Sequence, residues 1–165
     1  MKTKTKINKK ILIAVGALAI VVMCAISSRF WLQLAIVEGY SMAPTYKSTQ
    51  FVLVDKVSKN FQRGDVIAFR SGTAGLLIKR IAAAGGDSIE IRDGKVLVNE
   101  TESTIYKDHT IDFSGIAKQT IQLDENELFV LGDNLSESKD SRYEAVGVIK
   151  QDDIIGKIVP QKNLN

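Results

Sequence analysis

The sequence predicts an all-β domain, an antiparallel β-sandwich or barrel, that follows a single N-terminal transmembrane helix. An uncharged apolar run of 18 residues stands near the N-terminus, and after Ser41 the apolar residues come in short β-branched runs separated by turn signals. No stretch after Ser41 carries a convincing 3.6-residue apolar period. With 165 residues, 45% hydrophobic and 25% charged, the chain has room for one domain with a buried core, which excludes a disordered tail.

The uncharged run, residues 11–28, is predicted to be a membrane anchor. At about 1.5 Å per residue, a helix of this length nearly crosses a hydrocarbon layer of about 30 Å. Five lysines precede the run, and Arg29, Phe30 and Trp31 follow it as expected at a membrane interface, so the positive-inside rule keeps the N-terminus in the cytoplasm. The chain is therefore divided into a basic cytoplasmic tail (1–10), an anchor (11–31) and an extracytoplasmic domain (32–165).

Other interpretations of this run remain open. A cleaved secretory signal has a similar layout, and Ala25 and Ser27 would supply the small residues of its processing site. A lipid on Cys24 is disfavoured because Met23 stands where a small residue is needed. A helix buried in the core of a soluble protein is the least favoured interpretation, because it does not explain why five lysines directly precede the run.

Charge and cysteine content argue against nucleic-acid binding and against sites built from several cysteines. Without the five lysines of the first ten residues, the formal charge changes from +3 to −2. The remaining chain has no lysine or arginine cluster with interleaved aromatics, so we expect no nucleic-acid binding. Cys24 is the single cysteine, which excludes a disulfide framework and a CxxC metal or redox site. We expect no metal and no cofactor.

Eight short strands are predicted in the extracytoplasmic domain, as in a sandwich or barrel. Between two of them, Asp93-Gly94 provides the residues that tolerate positive φ in a tight hairpin turn. The polar stretch 100–118 interrupts the pattern and is expected to be a surface excursion. The predicted strands are 51–57, 66–69, 76–82, 88–92, 95–98, 120–123, 127–131 and 154–159.

Lys79 stands in the middle of an otherwise apolar predicted strand, LLIKRIA. Alternate residues of a strand share a face, so Lys79 projects with Leu77 and Ile81. An edge lysine that blunts aggregation or reaches to water is the ordinary explanation, but Arg80 already serves the opposite face. If Lys79 is desolvated, its pKa falls, by as much as about 3 to 5 pH units in a fully buried site, and its neutral amine can accept a proton.

Ser41, in the stretch VEGYSMAPT, is a candidate nucleophile. A serine hydroxyl needs a neighbouring base, which is usually a histidine. The single histidine, His109, lies in the polar stretch 100–118, where a solvated imidazole is the ordinary expectation. Lys79 is therefore the better candidate, in the Ser/Lys variant of the serine-protease arrangement, although spacing alone does not establish the pair.

Five blocks of sequence, in this order, resemble the type I signal peptidases, membrane-bound serine proteases that remove signal peptides from exported proteins. A lysine-led anchor is followed by GYSMAPT (39–45), RGDVIAF (63–69), IKRIAAAGGD (78–87) and GDNLSESKDSR (132–142). The large insertion of some Gram-negative relatives is missing, so the chain resembles the minimal form of Gram-positive bacteria. The family often has a proline before the GD of its lysine block, where this chain has alanine and glycine.

The resemblance implies roles for the residues that match these blocks. Ser41 is the nucleophile and Lys79 the general base, while Ser138 hydrogen-bonds the lysine amine and orients it. The backbone N–H of Ser41 binds the oxyanion. Some members add a serine hydroxyl two positions earlier, but Gly39 stands there in this chain, so a second backbone N–H at Gly39 is expected instead.

The same resemblance places an ion pair of Asp140 and Arg142, together with Asp133, beside the site as structural residues. It implies signal peptides of secreted preproteins as substrates, cut after small residues in an A-x-A-like pattern. It also implies contact with membrane lipid and proximity to the export translocon. Met42 and residues 30–35 are expected to dip into the outer leaflet, with packing under the sheet as the alternative.

Three rival functions are weighed against this one. The chain could be a related enzyme dedicated to one substrate class such as pilins, or a non-catalytic membrane-anchored assembly protein of the same fold. A self-cleaving repressor also uses a Ser/Lys dyad, but here the anchor stands where its DNA-binding domain would be. The presence of both Ser41 and Lys79 argues against a non-catalytic relative.

Overall fold

The computed structural model describes residues 9–72 and 75–160; of these, the side chains of residues 12 and 24–30 are not described. One helix, α1 (Lys9–Trp31), precedes eleven strands in the described chain. The predicted all-β fold with one N-terminal helix is therefore confirmed. The strands are β1 (Leu32–Ile36), β2 (Phe51–Asp55), β3 (Val66–Ser71), β4 (Gly75–Ala83), β5 (Ser88–Arg92), β6 (Lys95–Val98), β7 (Thr101–Glu102), β8 (Ile121–Gln122), β9 (Glu127–Leu131), β10 (Ile149–Lys150) and β11 (Ile154–Ile158).

The helix α1 covers the predicted anchor and begins two residues before it, at Lys9. No helix in the described part of the chain combines the length and apolar character that crossing a membrane requires. Most of the predicted basic tail, residues 1–8, lies outside the described residues.

The strands form two antiparallel sheets. The larger has seven strands in the order β1-β2-β11-β3-β4-β9-β10, and the smaller has four in the order β7-β6-β5-β8. In the smaller sheet the predicted hairpin is confirmed: Arg92 pairs with Lys95, and Asp93 and Gly94 have φ of 53° and 74°. β1 is an edge strand of the larger sheet, a position that leaves one side of its backbone free of a neighbouring strand.

Three clusters of buried apolar side chains hold these sheets together. The first joins the two sheets, with Phe129 of the larger and Ile89 of the smaller both fully buried. The second contains Val37, Met42 and Ile78, and the third lies around residues of β3, β4 and β9. Each such side chain contributes about 1.5–3 kcal/mol through removal of its apolar surface from water.

Met42 is only 1% exposed within the second cluster. The expectation that Met42 dips into a membrane is therefore wrong, and the alternative, packing under the sheet, is what the structure has. Burial there fixes the backbone next to Ser41, because a core side chain cannot move without opening a cavity.

Three strands were not predicted from the sequence. β1 directly follows α1, and the sequence places most of its residues in the segment 30–35 that is expected at the membrane interface. β7 and β10 have two residues each, which is too short for any periodicity to show. The predicted bounds of β5, β6 and β9 are confirmed, and those of the remaining predicted strands differ by a few residues at most.

The sequence predicts that the polar stretch 100–118 is a surface excursion, but part of it faces the core. Tyr106, Ile111 and Ala117 are buried in the cluster between the two sheets. Its apolar residues follow neither a two-residue nor a 3.6-residue period, because the segment is mostly turns and a short 3-10 helix, Gly115–Lys118. Periodicity could not reveal its inward-facing side chains.

Candidate active site

The structure brings Ser41 and Lys79 into direct contact. Ser41 lies in the turn that follows β1, and Lys79 lies within β4. The Lys79 amine nitrogen, Nζ, is 2.7 Å from Ser41 Oγ and 3.1 Å from the carbonyl oxygen of Ile78. A distance of 2.7 Å is a short hydrogen bond, so a proton can pass between the two groups without further movement.

Lys79 is withdrawn from water, with only 3% of its surface exposed. In the sheet it pairs with Ile67 of β3, and Leu77 and Ile81, two residues away on either side, pack in the same apolar cluster as Ile67. The expectation that Lys79 is desolvated on an apolar face is confirmed. Burial lowers the pKa of Lys79 below its ordinary value, while the carboxylates of Asp140 and Asp133 act in the opposite direction.

Each of these two carboxylates is held by an arginine. Asp133 receives two hydrogen bonds from Arg80, Nε to Oδ1 at 2.7 Å and Nη2 to Oδ2 at 2.6 Å. The sequence suggests that Arg80 serves a solvent-exposed face. In the structure Arg80 instead neutralises the Asp133 carboxylate beside the site. The side chains of Arg80 and Asp133 are 19% and 9% exposed.

Asp140 and Arg142 form the ion pair that the sequence resemblance implies. Arg142 Nε lies 2.8 Å from Asp140 Oδ1 and Arg142 Nη2 lies 2.9 Å from Oδ2, with both residues almost completely buried. Arg142 also donates to the carbonyl of Leu135 at 2.6 Å, and Asp140 accepts from the backbone N–H of Gly132 at 3.1 Å. The ion pair thus stabilises the conformation of the loop 132–142 next to Lys79 through contacts within the loop.

Ser138 lies on this loop but is not bonded to the lysine. Its side chain is buried, and its Oγ has no hydrogen-bond partner among the described residues. The implied hydrogen bond from Ser138 to the Lys79 amine is therefore not made in this structure, because that amine is directed at Ser41 and at Ile78. Ser138 nevertheless lies close to the backbone of Ser41. A Cβ added to Gly132 would overlap both Ser138 Oγ and the carbonyl oxygen of Ser41.

Comparison with known proteins bears on this geometry. A family model described as signal peptidase, peptidase S26, matches residues 8–161. The chain belongs to this family. It is a signal peptidase I, a serine endopeptidase that cleaves signal peptides from preproteins.

Several relatives of this signal peptidase are similar over most of its length. Signal peptidase I U of Bacillus subtilis strain 168 is 34% identical over 73% of this chain and 70% of its own. Signal peptidase I P of Bacillus subtilis subsp. natto is 32% identical over 93% of this chain and 91% of its own. A crystal structure of a signal peptidase I from Enterococcus faecalis V583 is 27% identical, covers 61% of this chain and 97% of its own, and has a TM-score of 0.48.

The signal peptidase has an open cleft beside Ser41 and Lys79, with a volume of about 550 Å³. One wall is the end of β1 and the residues after it, and the other is the start of β4. The loop 132–142 closes the end with Glu137 and Lys139. Val37, Met42 and Ile78 of the second core cluster line it, together with Ile36, Glu38, Gly39, Leu76 and Leu77.

Gly39 stands at the exposed end of this cleft with φ of 77°. This left-handed conformation favours glycine, because other residues are strained there. No described atom lies within 4 Å of where a Cβ would stand, so space does not demand glycine at this position. The backbone conformation does.

His109 is not the partner of Ser41 in this structure. It is exposed, and its ring packs edge-on against Tyr106 with 6.3 Å between ring centres. It lines a different cavity, with Pro44 and Asn134 among its neighbours. The described residues also contain no group of three His, Cys, Asp or Glu side chains that could hold a metal ion.

Sequence reasoning missed a set of residues that brace the loop 132–142. Within the stretch 100–118, the backbone N–H of Ile116 donates to the carbonyl of Arg142 at 3.0 Å, and the Phe113 carbonyl accepts from Arg142 Nη1 at 3.4 Å. Gly115 lies between them so close to Arg142 that a Cβ would overlap its carbonyl group. The isolated Gly115 is the signal that the sequence offers here, because such a glycine often marks a close approach of two backbones.

Proposed function

We propose that this signal peptidase cleaves preproteins through a dyad of Ser41 and Lys79. Lys79 Nζ takes the proton of Ser41 Oγ, and Ser41 Oγ attacks the carbonyl carbon of the scissile peptide bond. The Lys79 ammonium then gives the proton to the leaving amine, which leaves an acyl-enzyme ester on Ser41. A water molecule, deprotonated by the same amine, hydrolyses the ester. The hydrogen bond of 2.7 Å between a buried amine and the hydroxyl carries this proposal.

The loop 132–142 supports the dyad. Asp140 and Arg142 hold it in place through their buried ion pair, and the Ser41 carbonyl accepts a hydrogen bond from the backbone N–H of Asn134 on the same loop at 3.0 Å. Ser138, with its buried free hydroxyl, is the group that can orient the lysine once Ser41 has become acylated and no longer accepts from it. The oxyanion is bound by the backbone N–H of Ser41, with Gly39 as the second backbone donor.

The substrate binds as an extended strand in the cleft. β4 pairs with β9 only at Arg80, Ile81 and Ala83, which leaves the backbone edge at its start unpaired by β9, and β1 is a sheet edge. A strand laid between these two edges can use both sets of backbone groups. The side chains at the first and third positions before the cut point to the cleft floor, where they meet Val37, Met42 and Ile78. Small residues are the proposed preference at these two positions.

The enzyme is held at the membrane by α1, with its N-terminus in the cytoplasm and its catalytic domain on the other side, near the export translocon. This is supported by the uncharged run 11–28 and by the apolar side chains of α1, such as Ile13 and Met23, which are 72% and 71% exposed. The apolar surface continues onto the domain, where Leu34, Ile36, Phe51 and Leu53 form an exposed face on β1 and β2. We call these four residues the apolar face, and lipid is its proposed partner.

Polar substitutions on the apolar face are expected to slow cleavage only when the substrate is in a membrane. In Leu34→Gln and Phe51→Gln, we expect a several-fold lower rate on a preprotein held in lipid vesicles and little change on a short soluble peptide. The reason is that α1 confines the enzyme to the membrane surface, and contact of the apolar face with lipid also holds the cleft at that surface, which raises the effective concentration of the substrate at the cleft. Ile105→Gln, which also replaces an exposed apolar residue but one outside this face, is the control. Equal loss on both substrates would show a folding defect and would contradict the proposed contact.

The pH dependence of cleavage tests the dyad itself. Only the neutral amine can accept the Ser41 proton, so the rate rises with pH through the pKa of Lys79 and is level above it. Because burial lowers that pKa, the midpoint is expected below the ordinary value of 10.5. We would measure kcat/KM on a soluble peptide from mildly acidic to alkaline pH.

The control for this profile is His109→Ala, which is expected to leave the midpoint in place because His109 lies in a different cavity. A wild-type profile that rises only near 10.5, or a midpoint that disappears in His109→Ala with the fold intact, would contradict Lys79 as the base.

A further inference from the structure

One charged side chain at the catalytic cleft has no role in the proposed chemistry. Glu38 lies three residues before Ser41, on the wall that β1 provides, and it is exposed. Among the described residues, no ion pair involves Glu38. Its carboxylate is therefore available to a ligand in the cleft.

The position of Glu38 follows from the alternation of β1. Ala35 and Val37 point into the second core cluster, whereas Leu34 and Ile36 are exposed on the other side of the strand. The pairing of this segment with its neighbour continues past β1, because Val37 donates to the Gln50 carbonyl at 2.9 Å. Glu38 thus continues the outward side, directly after Ile36 and next to the reacting groups.

A substrate strand in the cleft must alternate in the same way. We place its residues before the cut from Ser41 towards Ile36, along the wall that Ile36, Glu38 and Gly39 line. If the first and third side chains point to the floor formed by Val37 and Met42, the second and fourth point to the outward side. The second then lies by Glu38 and the fourth by Ile36.

From this placement we infer that Glu38 is a specificity-determining residue that favours a basic side chain at the second position before the cut. The inference rests on the proposed function, because it uses the substrate strand placed there. An opposite charge in an exposed pair contributes little energy, so the effect is a preference and not a requirement. The other charged residues of the cleft rim, Glu137 and Lys139, carry opposite charges and lie on the loop 132–142 at the end of the cleft.

The test uses two peptides that are identical except for Lys or Glu at the second position before the cut. For the wild type we expect kcat/KM to be about fivefold higher with Lys, with the ratio falling towards one at high salt. In Glu38→Gln the ratio is expected to be close to one, and in Glu38→Lys it is expected to invert. A second pair of peptides, with Lys or Glu at the third position before the cut instead, should show no dependence on residue 38.

Two variants separate this effect from general charge. Glu144→Lys changes the net charge equally but at an exposed residue outside the cleft, and Glu137→Lys changes the loop at the end of the cleft. We expect both to keep the wild-type ratio. An unchanged ratio in Glu38→Lys, or an equal inversion in Glu137→Lys or Glu144→Lys, would overturn the inference. Failure of the proposed dyad would be distinguishable from failure of this inference. If the dyad were wrong, Ser41→Ala would still cleave every peptide, whatever residue stands at position 38.

Discussion

Replacement of Lys79 by methionine is expected to abolish cleavage while the fold stays at least as stable as before. The loss of the base removes the proton acceptor of Ser41, which lowers kcat/KM by about 10³-fold or more when nucleophile and base act as a unit. The side chain lies among apolar neighbours and is 3% exposed, so an apolar side chain of similar length fits its site. Measurement of kcat/KM and of the free energy of unfolding on the same preparation would check both parts.

The stability part of this expectation depends on pH in a defined direction. Because the pKa of Lys79 is lower in the folded than in the unfolded chain, the unfolded chain binds more protons between these two pKa values. The penalty for burying the amine is therefore complete below the folded pKa and is lost above the unfolded pKa. The gain in stability of Lys79→Met should shrink as pH rises towards the ordinary lysine pKa of 10.5.

Ser41→Ala is the matched control for Lys79→Met. It should be equally inactive, because one group without the other cannot form the acyl-enzyme, but it keeps the amine and so should lack the stability gain. Retained cleavage in Lys79→Met, with a folded protein, would contradict the dyad. A large loss of stability in Lys79→Met would contradict the account of its burial.

Replacement of Arg142 by methionine is expected to produce the largest loss of stability, about 3–5 kcal/mol. Arg142 neutralises Asp140, and both are almost completely buried, so the variant leaves a buried carboxylate without its partner. It also leaves the carbonyl of Leu135 without the donor that now lies at 2.6 Å. Because domains are stable by only about 5–15 kcal/mol, much of this protein would be unfolded at moderate temperature.

Urea unfolding of two further variants would test this cause. Asp140→Leu/Arg142→Met removes both charges, so it should be less destabilised than the sum of the two single variants. Arg63→Met removes a partner of Asp87 in a pair whose arginine side chain is 42% exposed, and it should cost no more than about 1 kcal/mol. Equal costs for Arg63→Met and Arg142→Met would contradict the argument from burial.

The sequence predicted the elements that have strong local signals. The hairpin of β5 and β6 was predicted with its bounds because Asp93-Gly94 and the flanking β-branched residues act within a few positions of one another. Lys79 stood out because one charge in an apolar strand is a local anomaly. β7, β10 and the inward side chains of the stretch 100–118 were not found, since their conformation is set by distant parts of the chain.

The sequence by itself determined that this chain has an apolar N-terminal helix, an antiparallel β-domain and a serine and a lysine in blocks typical of signal peptidases. Only the tertiary structure decided that Lys79 Nζ meets Ser41 Oγ, that Arg80 is neutralised by Asp133, and that Ser138 leaves its hydroxyl free. Strand propensity and turn chemistry act between neighbours in sequence. Contact and desolvation between groups 38 positions apart depend on how the sheets and loops pack, and no local pattern encodes that packing.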